Sequence, residues 1–420
     1  MSRLTVEHVA RIEGHGTISV EVAGGVVQEI RMDVVEPARL FESMVVGRRF
    51  DEAPLITSRI CGICSPNHTL TSIKALEAAF DVEVSERTTL LRELLVYGSY
   101  LQNHATHLYL LAAPDYVGLP SVFPLAKTHP EVVRRALGLK KLGNDLTALI
   151  GGRPVHPVAA TIGGFTAEPP RARLDQFTEL LHSAARDAAD TVELFAGFET
   201  PEFETGGEML ALVAPGTYAT YDGDVCALDA GWCRPAAEYG QFVDEAVVDH
   251  SNAKHATVGG RTYLVGALAR VNLSWDRLTP TAKLIAEKAG FARGSRNTFH
   301  NNLCQAIELV DCSQRCAHLC ESLVDDTGTC TPAGFTVRAG SGRAATEAPR
   351  GTLYHGISVD GDGFVTAGDV ITPTAQNLAN LEADMRAYAP TVAHLPEREF
   401  VTAIERLVRA YDPCLSCAVH

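Results

Sequence analysis

The sequence has no apolar stretch approaching the roughly twenty residues that a bilayer-spanning helix requires. Positive charge is in deficit, because 36 Lys and Arg stand against 51 Asp and Glu. The resulting net charge of −15 disfavours a surface that binds nucleic acid or anionic lipid. The first 16 residues also lack the basic-then-apolar pattern of a signal peptide. We therefore expect a globular cytoplasmic chain with no nucleic-acid partner and no transmembrane segment.

Cysteine is scarce as well. Eleven cysteines in 420 residues are too few for a disulfide scaffold, and their number is odd. Metal or redox roles of the cysteines are therefore considered before structural disulfides, and the positions of the cysteines matter more than their number. No tract is biased enough to predict disorder, so the whole chain is expected to fold.

Hydrophobic periodicity predicts a mainly α chain with smaller β regions, that is, an α+β fold with long buried helices in a core bundle. Helices are expected at about 69–80, 86–113, 131–150, 172–198, 298–324, 375–389 and 396–410. Alternating residues at 17–35 around Gly24 and Gly25 predict a hairpin in an N-terminal β region of about residues 1–36. A second small β region is expected at 200–280, and residues 331–374 are rich in Gly, Thr and Pro, with short β-type segments. No linker is evident, which favours a single compact unit over 1–420, with a metal-binding segment at 412–420.

Two Cys-x-x-Cys pairs lie at opposite ends of the chain, Cys61 with Cys64 and Cys414 with Cys417. A two-residue gap lets both sulfurs of a pair converge on one metal, and structural zinc is the usual result. Zinc modules, however, usually have about 15–20 residues between their pairs. The cysteines alone leave zinc and other thiophilic metals open.

The residues around the pairs narrow this choice. The first pair is Arg59-Ile-Cys61-Gly-Ile-Cys64-Ser-Pro-Asn-His68, and the second is Asp412-Pro-Cys414-Leu-Ser-Cys417-Ala-Val-His420. Together they resemble the two signatures of nickel–iron hydrogenase large subunits. The resemblance implies that Cys61 and Cys414 bind nickel terminally, while Cys64 and Cys417 bridge nickel to an iron carrying carbon monoxide and cyanide. It also implies that a chain ending at His420 is the mature form.

Three further segments are similar to motifs of the same family. Arg11-Ile-Glu13-Gly-His15 implies that Glu13 accepts the proton from the active site. Arg39-Leu-Phe-Glu42 implies a magnesium ion held by the Glu42 carboxylate, the Val370 carbonyl and the His420 imidazole, although a glutamate on an exposed helix face is the ordinary alternative for Glu42.

Glu347-Ala-Pro349-Arg350-Gly351 implies that the Arg350 guanidinium hangs over the open metal position. By the same resemblance, the carboxylates of Asp412 and Asp115 orient Arg350, and His68 donates a hydrogen bond to a bridging sulfur. His68, Asp115, Pro349 and Asp412 are thus expected to line the cofactor site.

Some residues have simpler explanations. Cys304, Cys312, Cys316 and Cys320 share a stripe on one predicted helix, where buried packing is a commoner role than a second metal site. His104 and His107 are expected to be hydrogen-bonded within the core.

The resemblance as a whole implies reversible heterolytic cleavage of dihydrogen, with the proton passing to the Cys414 thiolate and then to Glu13. The chain has no motif for nicotinamide, flavin or an iron–sulfur cluster, so the electrons require partners. The resemblance implies a small subunit with iron–sulfur clusters. The chain looks most like the cytoplasmic, multi-subunit group of the family, which implies further flavin or NAD(P)-reactive subunits. A zinc-binding module and a non-catalytic, complex I-like subunit of the same fold are the alternatives.

Overall fold

The computed structural model describes residues 2–6, 8–23 and 26–420. The α-helices are α1 Phe41–Val45, α2 Ala53–Thr57, α3 Ser65–Phe80, α4 Glu86–Thr106, α5 Ala113–Tyr116, α6 Leu125–Thr128, α7 Pro130–Gly151, α8 Arg171–Ala196, α9 Ala267–Leu273, α10 Pro280–Lys288, α11 His300–Asp325, α12 Pro373–Val392, α13 Glu397–Ala410 and α14 Leu415–Ala418. The strands are β1 Ser2–Val6, β2 Gly16–Ala23, β3 Val26–Val34, β4 Ala160–Thr161, β5 Gly164–Phe165, β6 Glu208–Val213, β7 Asp224–Ala227, β8 Cys233–Pro235, β9 Asp244–Val248, β10 Ser251–Thr257, β11 Tyr263–Leu264, β12 Gly340–Ala348, β13 Gly351–Val359 and β14 Val365–Ile371.

The longest helices form the predicted core bundle, in which α4 packs on α7 and α11, and α11 packs on α8. Helix α4 begins after Ser85, whose hydroxyl accepts a hydrogen bond from the Thr88 N–H. It continues through a π-helical segment, His107–Ala112, into α5, so the predicted helix at 86–113 is present with a local change of winding. Helix α4 itself carries apolar residues on most of its sides, and neighbouring helices cover these residues.

The N-terminal sheet is antiparallel with strand order β1-β2-β3. Ile18 and Val20 on β2 and Ile30 and Met32 on β3 are fully or almost fully buried, as the alternating pattern predicts. The predicted turn at Gly24 and Gly25 lies outside the described residues.

The middle region contains the expected short strands, in a four-stranded sheet of order β11-β6-β7-β8 and a β9–β10 hairpin. It also contains α9, which the β-type pattern did not predict, and α10 begins where this region ends, at Pro280.

The segment rich in Gly, Thr and Pro forms a regular antiparallel sheet, β12-β13-β14, where the sequence indicated only short β pieces. The glycines of β12 reflect its packing against α3. A Cβ at Gly342 would lie 1.9 Å from the Ala75 carbonyl oxygen, so only glycine allows this approach.

The two ends of the chain meet. The Leu415 N–H donates to the Glu13 carbonyl at 2.9 Å, and the Arg39 N–H donates to the Val419 carbonyl at 2.7 Å. One hydrophobic core contains residues from Val9 to Val419. Within the described ranges, no helix is both long enough and apolar enough to cross a membrane.

Candidate metal centre

Four cysteines from the two ends of the chain converge in the interior. Cys61 follows a 3-10 turn, Ser58–Ile60, and Cys64 is the residue before the first turn of α3. Cys414 directly precedes α14, and Cys417 lies within it. Each side chain belongs to a buried apolar cluster that includes Phe41, Ile60, Leu353 and Val370, and the four cysteines are only 1–5% exposed.

The thiols lie within the reach of a shared metal centre. The Sγ atoms of Cys61 and Cys414 are 3.7 Å apart. The sulfurs of Cys61, Cys414 and Cys417 all lie within 4.8 Å of one another, as do those of Cys64 and Cys417 with a ring nitrogen of His68. None of these cysteines forms a disulfide.

The electrostatics of the thiols suit a cation. Hydrogen bonds from the neighbouring thiols, with Cys414 foremost, hold the pKa of Cys61 well below its usual range. Burial raises the pKa of Cys414 and of Cys417 well above theirs. Four thiolates therefore cannot coexist here without positive charge to balance them, and soft metals bound by thiolate supply that charge. The residues present fit a nickel–iron centre.

Glu13 lies beside one thiol. The Cys414 thiol donates to Glu13 Oε2 at 3.0 Å, and the Ser416 N–H donates to the same oxygen at 3.2 Å. The Ser416 hydroxyl donates to Oε1. The side chain is half-buried, so its carboxylate joins the thiol cluster to a less enclosed region.

Local backbone geometry holds Glu13 against the second cysteine pair. Gly14 has φ +87°, and a Cβ at this position would lie 2.9 Å from both the Leu415 Cβ and the Ser416 nitrogen. Glycine is therefore required for the N-terminal segment to approach α14 this closely.

Arg350 is held at the cluster by Asp412. The Arg350 Nε–H donates to the Asp412 carbonyl at 2.8 Å and to its carboxylate at 3.1 Å, while buried Nη1 has no partner among the described residues. Despite burial, Asp412 and the nearby thiols raise the pKa of Arg350 well above its usual value. The guanidinium therefore remains charged.

Sequence reasoning missed the residues that support Asp412. Its other carboxylate oxygen accepts hydrogen bonds from the amides of Asn103 at 2.9 Å and Gln305 at 3.0 Å. Although burial opposes it, Arg350 and then His107 lower the pKa of Asp412. Both amides lie on helices whose apolar patterns predict burial. Since buried amides require hydrogen-bond partners, this was the signal in the sequence that could have identified Asn103 and Gln305.

The expected pairing of Asp115 with Arg350 is wrong. Both carboxylate oxygens of Asp115 are occupied by other guanidinium groups: Arg409 donates to Oδ2 at 2.5 Å and to Oδ1 at 3.0 Å, and Arg11 also donates to Oδ1. Two cations already balance this carboxylate, and Arg11 and Arg409 anchor the N-terminal segment to α13. In the structure, Asp115 therefore contacts Arg11 and Arg409 and not Arg350.

His68 lies close to the thiols of Cys64 and Cys417 and contacts His355, a histidine that sequence reasoning overlooked. Its Nδ1 is 3.1 Å from Nε2 of His355, whereas its buried Nε2 has no partner within the described part of the chain. Burial lowers the pKa of His68 to about 3, so both rings are neutral at pH 7. If His355 Nε2–H donates to His68 Nδ1, the remaining His68 proton is on Nε2 and is available to a sulfur.

Glu42, Val370 and His420 also meet. The Val370 N–H donates to Glu42 Oε1 at 3.0 Å, and that oxygen is 4.0 Å from His420 Nε2. His420 Nε2 contacts the Val370 carbonyl, and its Nδ1 is 2.9 Å from the Cys417 carbonyl oxygen. One carboxylate, one carbonyl and one imidazole are a donor set that fits magnesium with water in the remaining positions.

Pro349 contributes through its backbone. Its carbonyl accepts from Arg270 Nη2 at 2.8 Å, and Arg270 also pairs with Glu308 and Glu347 at 2.6 and 2.9 Å. This buried network, which no motif indicated, fixes the loop that carries Arg350.

The remaining candidates have structural partners. His104 Nε2 is 2.8 Å from Glu308, and His107 contacts Gln305 and the Arg409 carbonyl, so both are hydrogen-bonded in the core as expected. In the described ranges, Cys304, Cys312, Cys316 and Cys320 belong to no group with metal-binding geometry. Cys226 and Cys233 form a disulfide between β7 and β8, which their sequence spacing did not reveal.

Comparison with known proteins agrees with this geometry. A family model described as nickel-dependent hydrogenase matches residues 39–132 and 236–420, which include both cysteine pairs. The chain belongs to the nickel-dependent hydrogenase family. It is accordingly a large-subunit member of a family of oxidoreductases that act on hydrogen.

Relatives of this nickel-dependent hydrogenase match it along nearly its whole length. Sulfhydrogenase 1 subunit alpha of Pyrococcus furiosus is 36% identical, and the match covers 99% of this chain and 97% of the relative. NAD-reducing hydrogenase HoxS subunit beta of Cupriavidus necator is 30% identical over 100% of this chain and 95% of the relative. A crystal structure of an NAD+-reducing [NiFe]-hydrogenase in the H2-reduced state superposes with a TM-score of 0.89 and 29% identity, with complete coverage of both chains. The large-subunit fold implied by the cysteine motifs is thus confirmed.

Proposed function

We propose that this chain is the catalytic subunit of a nickel–iron hydrogenase that reversibly cleaves dihydrogen heterolytically. One observation carries the proposal: four buried thiols from opposite ends of the chain converge, and a carboxylate lies 3.0 Å from one of them. A purely structural metal site does not need a proton acceptor at a ligand, whereas catalysis that releases protons does.

The four cysteines are the proposed ligands of the centre. Cys61 and Cys414 would bind nickel terminally, and Cys64 and Cys417 would bridge it to an iron with carbon monoxide and cyanide ligands. When bound, this centre supplies the activation of dihydrogen. The protein holds the sulfurs, excludes water with the apolar side chains around them, and moves the proton.

Glu13 is the proposed proton exit. The Cys414 sulfur takes the proton, and Glu13 Oε2, which already accepts a hydrogen bond from that sulfur, receives it next. Ser416 holds the carboxylate through its N–H and hydroxyl, so the acceptor is oriented before the proton arrives.

Arg350 is the proposed electrostatic element. Its Nε donates to Asp412, and its Nη1, which has no partner among the described residues, is the donor proposed to point toward the substrate position. A fixed cation in a buried site stabilises developing negative charge more strongly than it would in solution. In the same proposal, His68 donates to a bridging sulfur and Pro349 positions Arg350 through its carbonyl. Asp115 secures the N-terminal segment that carries Glu13.

A magnesium ion at Glu42, the Val370 carbonyl and His420 would fasten the C-terminus of the chain next to Cys417. After exhaustive chelation, we expect added Mg²⁺ to raise the melting temperature of the wild-type enzyme by several degrees, because a ligand that binds only the folded state stabilises it. The Glu42→Gln variant should lose this response, and differential scanning calorimetry measures it. The exposed Glu83 provides the matched control, Glu83→Gln, which should respond like the wild type. An equal response in Glu42→Gln would exclude Glu42 as a ligand.

Electron transfer requires partners. A small subunit with iron–sulfur clusters is proposed, followed by flavin and NAD(P)-reactive subunits in a cytoplasmic complex. The names of two similar proteins, both described as NAD-reducing hydrogenases, support NAD as the electron acceptor. Exposed apolar side chains just before the first cysteine pair support such an interface: Leu40, Met44, Val46 and Leu55 are 46–59% exposed. The shared core supports the proposal that residues 1–420 form a single unit.

The Cys417→Ala variant tests the proposed centre. We expect nickel and iron, counted by plasma mass spectrometry, to fall at least ten-fold from about one each per chain, because a bridging ligand is lost. Hydrogen-dependent dye reduction should disappear with them. Cys320→Ala, which removes another buried free thiol, should keep both metals. Zinc in place of nickel and iron in the wild-type protein would favour a non-catalytic zinc-binding or complex I-like subunit instead.

A further inference from the structure

A second group of metal-ligating side chains lies away from the thiol cluster. His250 is in the two-residue turn between β9 and β10, His255 is on β10, and Glu382 is on α12. One donor atom from each lies within 4.8 Å of the others. His250 Nε2 is 2.7 Å from Glu382 Oε1, and the two imidazole rings are 5.5 Å apart in an edge-to-face arrangement.

The unsatisfied atom in this group belongs to His255. His255 is only 9% exposed, and its buried Nε2 has no hydrogen-bond partner among the residues that the structure describes. A buried imidazole nitrogen without a partner is unfavourable unless something else contacts it. A simple His250–Glu382 hydrogen bond leaves this nitrogen unexplained, whereas a cation held by all three side chains accounts for it.

The carboxylate is already oriented for this role. The Met32 N–H of β3 donates to Glu382 Oε1 at 3.0 Å, which fixes the carboxylate against the edge of the N-terminal sheet. Ligand carboxylates in metal sites are commonly held by such additional hydrogen bonds. The other oxygen is 3.7 Å from the half-exposed Arg386 guanidinium, too far for a hydrogen bond that would compete with a metal.

We propose that His250, His255 and Glu382 bind a divalent transition-metal cation, with zinc as the preferred occupant. Two imidazoles and one carboxylate suit zinc, and hard cations such as magnesium prefer oxygen donors. Zinc ligands at about 2.0–2.2 Å from the metal require a modest opening of the His250–Glu382 contact. His250 is half-buried, so the fourth position is open to water or to a small ligand.

This cation fastens the β9–β10 hairpin to α12 and to the N-terminal sheet. Successive residues of a strand face opposite sides, so Lys254 points away from His255. Its ammonium is 3.0 Å from Glu245 and 3.7 Å from Glu42, the proposed magnesium ligand. The proposed zinc site thus stabilises β10, and the opposite face of this strand contacts Glu42 of the proposed magnesium site.

Zinc binding to the complete purified enzyme tests the proposal. After chelation, equilibration with a small excess of Zn²⁺ and removal of unbound metal, the wild type should retain one more zinc per chain than His255→Ala, measured by plasma mass spectrometry. The His250→Gln substitution should lower the affinity of this site for zinc at least ten-fold. Because His250 is near the surface, this variant should fold even if His255→Ala does not. His182→Ala removes an exposed histidine with a carboxylate neighbour and should bind zinc like the wild type.

Anomalous diffraction at the zinc edge then locates the ion. A peak in contact with both imidazoles and the carboxylate supports the site. Equal zinc content in the wild type, His255→Ala and His250→Gln, or a zinc peak only at the cysteines, would overturn it. Both outcomes are independent of hydrogenase activity, so the site can fail while the proposed function stands.

Discussion

Replacement of Glu13 by glutamine is expected to lower hydrogen–deuterium exchange by about 10²–10⁴-fold, the range typical of a lost general acid or base. Glutamine has nearly the same shape, and its carbonyl oxygen can still accept from Ser416. It cannot, however, take up the proton that the Cys414 thiol donates at 3.0 Å to Oε2. Nickel and iron should therefore remain bound while exchange is lost.

Exchange of D2 with protons of the solvent, followed by mass spectrometry, makes this measurement. Glu36→Gln is the matched control, because Glu36 pairs with His15 two residues after Glu13 and does not contact the thiols. The control should exchange at the wild-type rate. Wild-type exchange in Glu13→Gln as well would show that the proton leaves by another route.

Arg350→Lys is expected to lower turnover by about 10²–10³-fold, comparable to the loss of one preorganised donor in other active sites. The charge is kept, but a single ammonium cannot reproduce the planar guanidinium, which donates to Asp412 through Nε and leaves Nη1 free. Because Arg350 is not a proposed ligand, the metal content should not change.

Hydrogen-dependent dye reduction and metal analysis on the same sample distinguish the two effects. Arg338→Lys makes the same exchange at an arginine that is half-exposed and paired only loosely with Asp81, so it should leave turnover unchanged. Wild-type turnover in Arg350→Lys would show that the fork geometry is unimportant. Loss of metal would place Arg350 in the assembly of the centre instead.

The sequence was most informative where chemistry is local. The resemblance of both cysteine pairs and their flanking residues to the family signatures predicted which thiols would meet, and the resemblance of Arg11-Ile-Glu13-Gly-His15 predicted Glu13 as the proton acceptor. Helical periodicity also predicted the buried helices, because an apolar pattern around α4 requires neighbours on most sides. The close approach of the two ends of the chain could be predicted only from the family resemblance, since hydrophobic periodicity does not indicate which distant segments meet.

Residues that act through partners were harder to predict. Asp115 was assigned to the wrong arginine because a carboxylate does not reveal which of several guanidinium groups it will meet, and Arg11 and Arg409 occupy both of its oxygens. His355 lies on a buried strand, and its contact with His68 spans 287 positions of sequence. The extent of the β12–β14 sheet was underestimated because glycine in a sequence usually signals a turn, whereas the glycines of β12 allow close packing against α3.

Infrared spectroscopy of the purified enzyme tests the central claim most directly, because carbon monoxide and cyanide bound to iron absorb where protein does not. If the four sulfurs hold a nickel–iron centre, the wild type should show both sets of bands, and Cys417→Ala, prepared identically, should show neither. A wild-type spectrum without these bands, in protein whose four thiols are loaded with metal, would contradict the account.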